Sequence, residues 1–221
     1  MRLDKPIVII LIFAACFVFN CTFVWAEENI QEKCYQDLQF IRDELQNNSA
    51  PFLEKEDQHF QNWFETGFEQ SKELVAKIED SNDCHFILRF YVNGFKEPYI
   101  KIENHRLMPV ILYPGILSTI SEDAKHQIIY VDDESEFKEE LAVGDTITHL
   151  NETLVEDYFK YYVKPFYSNG DNQISQRIAG INTLLVDSNI FKPIIHNITI
   201  NHNKKISLKN IQFITLNNQA I

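Results

Sequence analysis

A nucleophilic serine needs a base beside it and a turn that exposes its hydroxyl. Ser118, Ser121 and Ser175 lack a glycine-flanked turn and a neighbouring base in the sequence. A Ser–Lys dyad assembled from distant positions is the one catalytic alternative. Seven histidines are present, but His85 lies in an apolar run, and His196 and His202 flank a tail hairpin. These positions read as packing or surface residues. Asp132-Asp133-Glu134 and Glu139-Glu140 fall in a turn and a helical turn, where carboxylates are solvated. Glycosidase chemistry would need two of them facing across a cleft. Scattered histidines with no Cys-x-x-Cys or His-x-x-His spacing give no metal centre. The sequence therefore predicts no catalytic residues, no metal and no cofactor.

The elements that would position any site begin after a targeting segment. Arg2 and Lys5 precede an apolar run over residues 7–19, and Val24 and Ala26 supply the small-residue pair of a signal-peptidase site. Residues 1–26 are read as a cleaved signal peptide, so the protein is expected to be secreted or periplasmic. An uncleaved anchor fits less well because the run is short for a span of ~20 residues, and a lipoprotein site at Cys16 because Phe17-Val18-Phe19 would follow the cysteine. Cleavage removes Cys16 and Cys21 and leaves Cys34 and Cys84. In an oxidising compartment an even pair is expected to form one disulfide, with two buried thiols as the alternative. Formal net charge is −12 for the whole chain. That acidity excludes a nucleic-acid footprint and an anionic membrane surface, which both need basic patches. Seventeen phenylalanines supply a core and argue against disorder.

Apolar residues Cys34, Leu38, Ile41 and Leu45 recur at helical spacing, and Phe60, Phe64, Phe68, Val75 and Ile78 form a second stripe with Asp57 as its N-cap. Residues 84–92 fit a buried strand or a helix; Cys84, Ile87, Leu88, Tyr91 and Phe95 on one face favour the helix. Strands are predicted at 99–102 and 127–131. Residues 106–120 read as extended, a helix is predicted near 155–162 and another over 174–186. The alternating segments 194–200 and 206–215 predict a β-hairpin. Helices first and strands later give an α+β chain. Its parts are a helical segment at 27–98 and a β domain at 99–221.

One motif is informative. Leu141, Gly144 and Asp145 precede the alternating strand Thr146-Ile147-Thr148-His149-Leu150, then Asn151 and a helix. Gly144 permits a tight turn and Asp145 can accept nearby backbone amides. This pattern resembles the core signature of PDZ domains, with Glu152 where the family has glycine. Together with Asn93-Gly94-Phe95 and Tyr113-Pro114-Gly115-Ile116, it resembles the helical and PDZ-like front part of the C-terminal-processing, or tail-specific, serine peptidases, over about residues 34–215. Glu97 and Tyr99 stand where many members have Asp and His.

The resemblance implies a PDZ-like domain that takes peptide or protein C-termini. A peptide would add beside the strand after Pro114, with its carboxylate near the amides of Gly115, Ile116 and Leu117. The helix after Val155 would form the facing wall through Tyr158 and Tyr162. The family's catalytic Ser and Lys lie beyond the PDZ-like region, whereas this chain stops at Ile221. The expectation is a truncated, non-catalytic binding module. The alternatives are a serine peptidase that needs a separate catalytic chain, and a structural interaction protein.

Overall fold

The computed structural model describes residues 29–49, 57–97, 99–102, 112–186, 189–201, 204–208 and 214–215. Residues 1–26, read above as a signal peptide, and His202 lie outside them. The chain is α+β: three helices come first, then an antiparallel sheet with helices against it.

Helix α1 (Ile30–Asn48) starts where Asn29 accepts hydrogen bonds from the Gln31 and Glu32 amides. Helix α2 (Gln58–Val75) is capped by Asp57, whose side chain accepts from Phe60. Helix α3 (Ser81–Asn93) opens on a capping box made by Asp80 and Asp83. Each cap satisfies amide donors that a helix start leaves without an intrahelical acceptor. Residues 84–92 are therefore helical, and periodicity outweighs the continuous apolar run there. The three helices enclose Leu38, Phe60, Phe64, Ile87, Tyr91 and Phe95, all nearly inaccessible to solvent. The Tyr91 hydroxyl donates to the Phe64 carbonyl at 3.1 Å. Trp63 fits a slot at the bundle edge, because a side chain at either Gly67 or Gly94 would overlap its indole. A disulfide joins Cys34 of α1 to Cys84 of α3, with Cα atoms 5.6 Å apart.

The sheet contains β2 (Ile116–Ile120), β3 (His126–Val131), β4 (Thr146–Leu150), β6 (Asn197–Ile200) and β7 (Lys204–Ser207), in that spatial order. Short β5 (Thr153–Leu154) folds back on β4. Away from the sheet, β1 (Leu112–Tyr113) pairs with β8 (Ile214–Thr215). Alternation places Ile116, Ser118 and Ile120 of β2, and Ile198 and Ile200 of β6, on the buried side. Val155, Tyr158, Phe159, Val163 and Phe166 complete that core.

These last residues belong to a continuous helical stretch: α4 (Val155–Tyr158), a π turn (Phe159–Val163) and α5 (Lys164–Tyr167). The helix is longer than its periodicity suggested. Pro165 lacks an amide proton and its ring crowds the carbonyl four residues back, so the preceding turn widens and Lys164 bonds to Phe159 instead. Helix α6 (Gln173–Ile181) stops at Asn182, earlier than expected. Leu184 and Leu185 are buried beyond it, and Val186 bridges to Leu112. The strand predicted at 99–102 is absent: Ile100 closes a turn onto Glu97, and four residues without a partner strand cannot form a ladder. The helical and sheet cores meet through aromatic contacts. Phe90 lies 5.6 Å from Phe166, which stacks on Phe191 at 5.5 Å.

The disulfide closes a separation of 50 residues, worth about 4 kcal/mol on the chain-entropy account. We expect Cys34→Ser/Cys84→Ser to lower unfolding free energy by up to that amount, read from urea midpoints under non-reducing conditions. An unchanged midpoint would show that helix packing alone holds the bundle.

Candidate functional site

Strand β2 is the sheet's first strand, so its outer edge is where an added peptide strand would lie. Gly115 precedes it with φ +75°, a backbone geometry that favours glycine. The Gly115 carbonyl accepts from Asp132 at 2.8 Å across to the β3 side. Strand alternation then turns the Ile116 amide outward and returns that of Leu117 to β3. Gly115, Ile116 and Leu117 thus do not offer three convergent donors.

The space beside Gly115 is filled. A Cβ there would lie 2.7 Å from the Ser135 hydroxyl. Asp132 is anchored on the same turn: Tyr113 donates to its Oδ2 at 2.5 Å and Glu134 donates its amide to Oδ1 at 2.9 Å. The Tyr113 hydroxyl holds the Asp132 carboxyl below the ordinary carboxylate range. Burial, and then Asp132 itself, pushes the Tyr113 phenol up. An incoming terminal carboxylate would therefore meet a fixed negative charge.

The far end of β2 is closed by α6. Ser121 donates its amide to Lys125 across the β2–β3 turn at 2.8 Å, so the Ile120 amide faces the outer edge. There a Cβ on Gly180 would lie 2.9 Å from the Ile120 nitrogen and 3.3 Å from the Thr119 carbonyl carbon. Neighbouring strands need about 4.8 Å between backbones. No strand fits between α6 and β2 at this point. Thr119 reinforces the closure by donating its hydroxyl to the Arg177 carbonyl at 2.9 Å, and Arg177 pairs with Glu122 at 3.3 Å.

Tyr158 and Tyr162 sit elsewhere. Their helix packs on β4, Tyr158 is 2% exposed, and its hydroxyl donates to the Pro193 carbonyl at 2.6 Å. Tyr162 packs beside it at 5.3 Å between ring centres. The wall facing β2 is α6. The pair Ala179-Gly180 was the available signal, since two small residues within an apolar helix face mark a close backbone approach.

The Gly144–Asp145 turn is a structural hub. Gly144 has φ +96° and donates its amide to Ile128 at 2.8 Å. Asp145 accepts from the Ala142 amide at 2.9 Å and from the Asn201 side chain at 2.8 Å. The motif is thereby tied to the turn between β6 and β7. Asn151 and Glu152 both have positive φ and make the two-residue β4–β5 turn. The Asn151 side chain also accepts from the His196 and Asn197 amides, at 2.7 and 3.1 Å. It thus fixes the entry to β6.

Ser118, Ser121 and Ser175 are hydrogen-bonded to no histidine or lysine side chain among the described residues. Ser118 is fully buried and its hydroxyl has no hydrogen-bond partner among the described residues. Ser121 bonds to Asp123 and to the Lys125 carbonyl, and Ser175 to Asn169. Among the described residues, no three His, Cys, Asp or Glu side chains converge as metal ligands. No helix among them is long and apolar enough to cross a membrane.

No protein-family model and no curated protein matches the sequence. Solved structures do share its fold. Mature CPAF, a tail-specific-protease-like serine protease, superposes with a TM-score of 0.54 at 15% identity, covering 84% of this chain and 34% of that one. Mature CPAF complexed with lactacystin gives the same score and identity, over 84% and 35%. The CPAF S499A mutant gives 0.56 at 16%, over 85% and 34%. At such identities the likeness is one of fold, and this chain spans about a third of the length of those proteins.

Two predictions arise here. Glu152 holds a left-handed conformation that costs a non-glycine residue about 1 kcal/mol. Glu152→Gly should therefore raise the urea midpoint, despite losing an exposed pairing with Lys205; a lower midpoint would contradict the turn geometry. His126 is 2% exposed against Phe159, with Nδ1 unpartnered among the described residues, and burial pushes its pKa down to about 4 from 6.5. The folded state therefore favours the neutral ring. Stability present above pH 6.5 should fall as the pH drops toward 4, by up to about 3 kcal/mol. His126→Leu should flatten that dependence, measured by urea unfolding at pH 7, 5.5 and 4.5.

Proposed function

We propose that this chain is a secreted, non-catalytic interaction module built on the fold of the front part of a tail-specific serine protease. Its PDZ-like edge is occupied by its own α6. The approach of Gly180 to the Ile120 amide carries this reading. It removes the space in which a peptide would add as a strand. The turn bearing Ser135 and Asp132 fills the other end and repels a terminal carboxylate. Support also comes from the CPAF-like fold, from Ser118, Ser121 and Ser175 bonding to no histidine or lysine side chain among the described residues, and from a disulfide suited to an oxidising compartment. Strand addition at β2 would require α6 to swing away.

The test reads β2 itself. With excess C-terminally free peptide, amide exchange at Ile116 and Ile120 should stay unchanged, and a fluorophosphonate probe should label no serine. New protection of those two amides would restore the open-groove reading, and covalent labelling would make the chain a hydrolase.

A further inference from the structure

A cavity of about 150 Å³ lies between the end of α3 and the π turn. Its floor is aromatic: Trp63 and Phe90 lie 5.6 Å apart, and the Trp63 indole donates to the Tyr91 carbonyl at 2.8 Å. Gly67 and Gly94 leave the slot that holds this indole, so the floor is rigid before any ligand arrives. The rim carries Lys96, Lys160 and Lys164. One carboxylate, that of Asp171, bonds two of these three ammonium groups. Asp171 bonds Lys96 at 2.5 Å through one oxygen and Lys164 at 2.7 Å through the other. Lys160 pairs with no carboxylate among the described residues; its ammonium lies over the Tyr161 ring, 4.8 Å from the centroid, and donates to the Tyr161 hydroxyl at 3.3 Å.

This concentration of positive charge stands out on a chain of net charge −12. Its backbone supports are also unusual. Lys96 adopts φ +61°, where glycine or asparagine is the common choice. Lys160 lies within the π turn, a geometry that recurs at functional sites. A volume of about 150 Å³ is the size of space that holds one benzene ring, and here it opens to solvent at the lysine rim.

We infer that this cavity binds a carboxylate joined to a compact apolar body, with the ring-sized body on Trp63 and Phe90 and the carboxylate at Lys160. Such a group could come from a small aryl acid or from the last residue of another polypeptide. Asp171 is then an internal competitor that occupies two of the three lysines until the ligand arrives. The inference stands on this cavity and is independent of the closure of β2.

Phenylacetate is the first probe, titrated by calorimetry and by indole emission in a Trp25→Phe chain, where Trp63 is the remaining tryptophan. We expect saturable binding that weakens with salt, with phenylacetamide at least about tenfold weaker. Lys160→Gln should weaken phenylacetate about tenfold at an unchanged urea midpoint. Asp171→Asn should tighten it several-fold, an effect that a purely structural Lys–Asp–Lys clasp would not produce. A tripeptide ending in phenylalanine, with free or amidated terminus, separates the sources. Preference for the free form identifies a polypeptide end, and binding of phenylacetate alone identifies a small acid. Equal affinity for acid and amide, indifference to Lys160→Gln, or no saturation by about 20 mM overturns the inference.

Discussion

An antiparallel sheet that does not close has two outer strands, and each presents unpaired amides and carbonyls. How this protein treats the first of them determines what the rest of the β domain can do. Helix α6 lies along β2 with a glycine at the point of nearest approach, which lets its backbone come closer than any side chain would allow. Once it is there, no strand fits beside the Thr119–Ile120 end of that edge. At the opposite edge, β7 carries Lys204 and Lys205, paired with Glu140 and Glu152. Charged side chains are a usual guard where no helix is available.

The polar clasp at the centre complements this arrangement. Asn151 and Asn201 bond to backbone groups distant in sequence, and Asp145 accepts from the Asn201 side chain, so β4 and the β6–β7 hairpin are fixed relative to one another. Aromatic stacking through Phe90, Phe166 and Phe191 carries that rigidity into the helical bundle. The lysine-rimmed cavity lies on the same seam, which explains why its walls come from both halves of the chain.

Much of the architecture was legible in the residues. Helical stripes located α1 and α2, the latter with Asp57 as its N-cap, and one-faced periodicity separated α3 from a buried strand. Gly144-Asp145 located a turn before an alternating strand. The wall of the groove was not legible in the same way. Two helices follow β4, and the aromatic one drew attention, yet aromatic residues mark a buried core as readily as a binding surface. The small residues of α6 gave the better clue. The helix predicted near 155–162 runs on through Pro165 to Tyr167, because one turn widens to accommodate the proline. His126 was indistinguishable from other histidines, because its burial depends on Phe159, more than thirty residues away.

The link between Cys34 and Cys84 has a topological consequence. Helix α2 lies wholly inside the covalent ring that it closes, whereas the sheet lies wholly outside. A protease that cuts once between Asn48 and Gln58 would therefore release no fragment. The two pieces would migrate together until a reductant separated them, and α1 would stay docked on its neighbours as a tethered peptide.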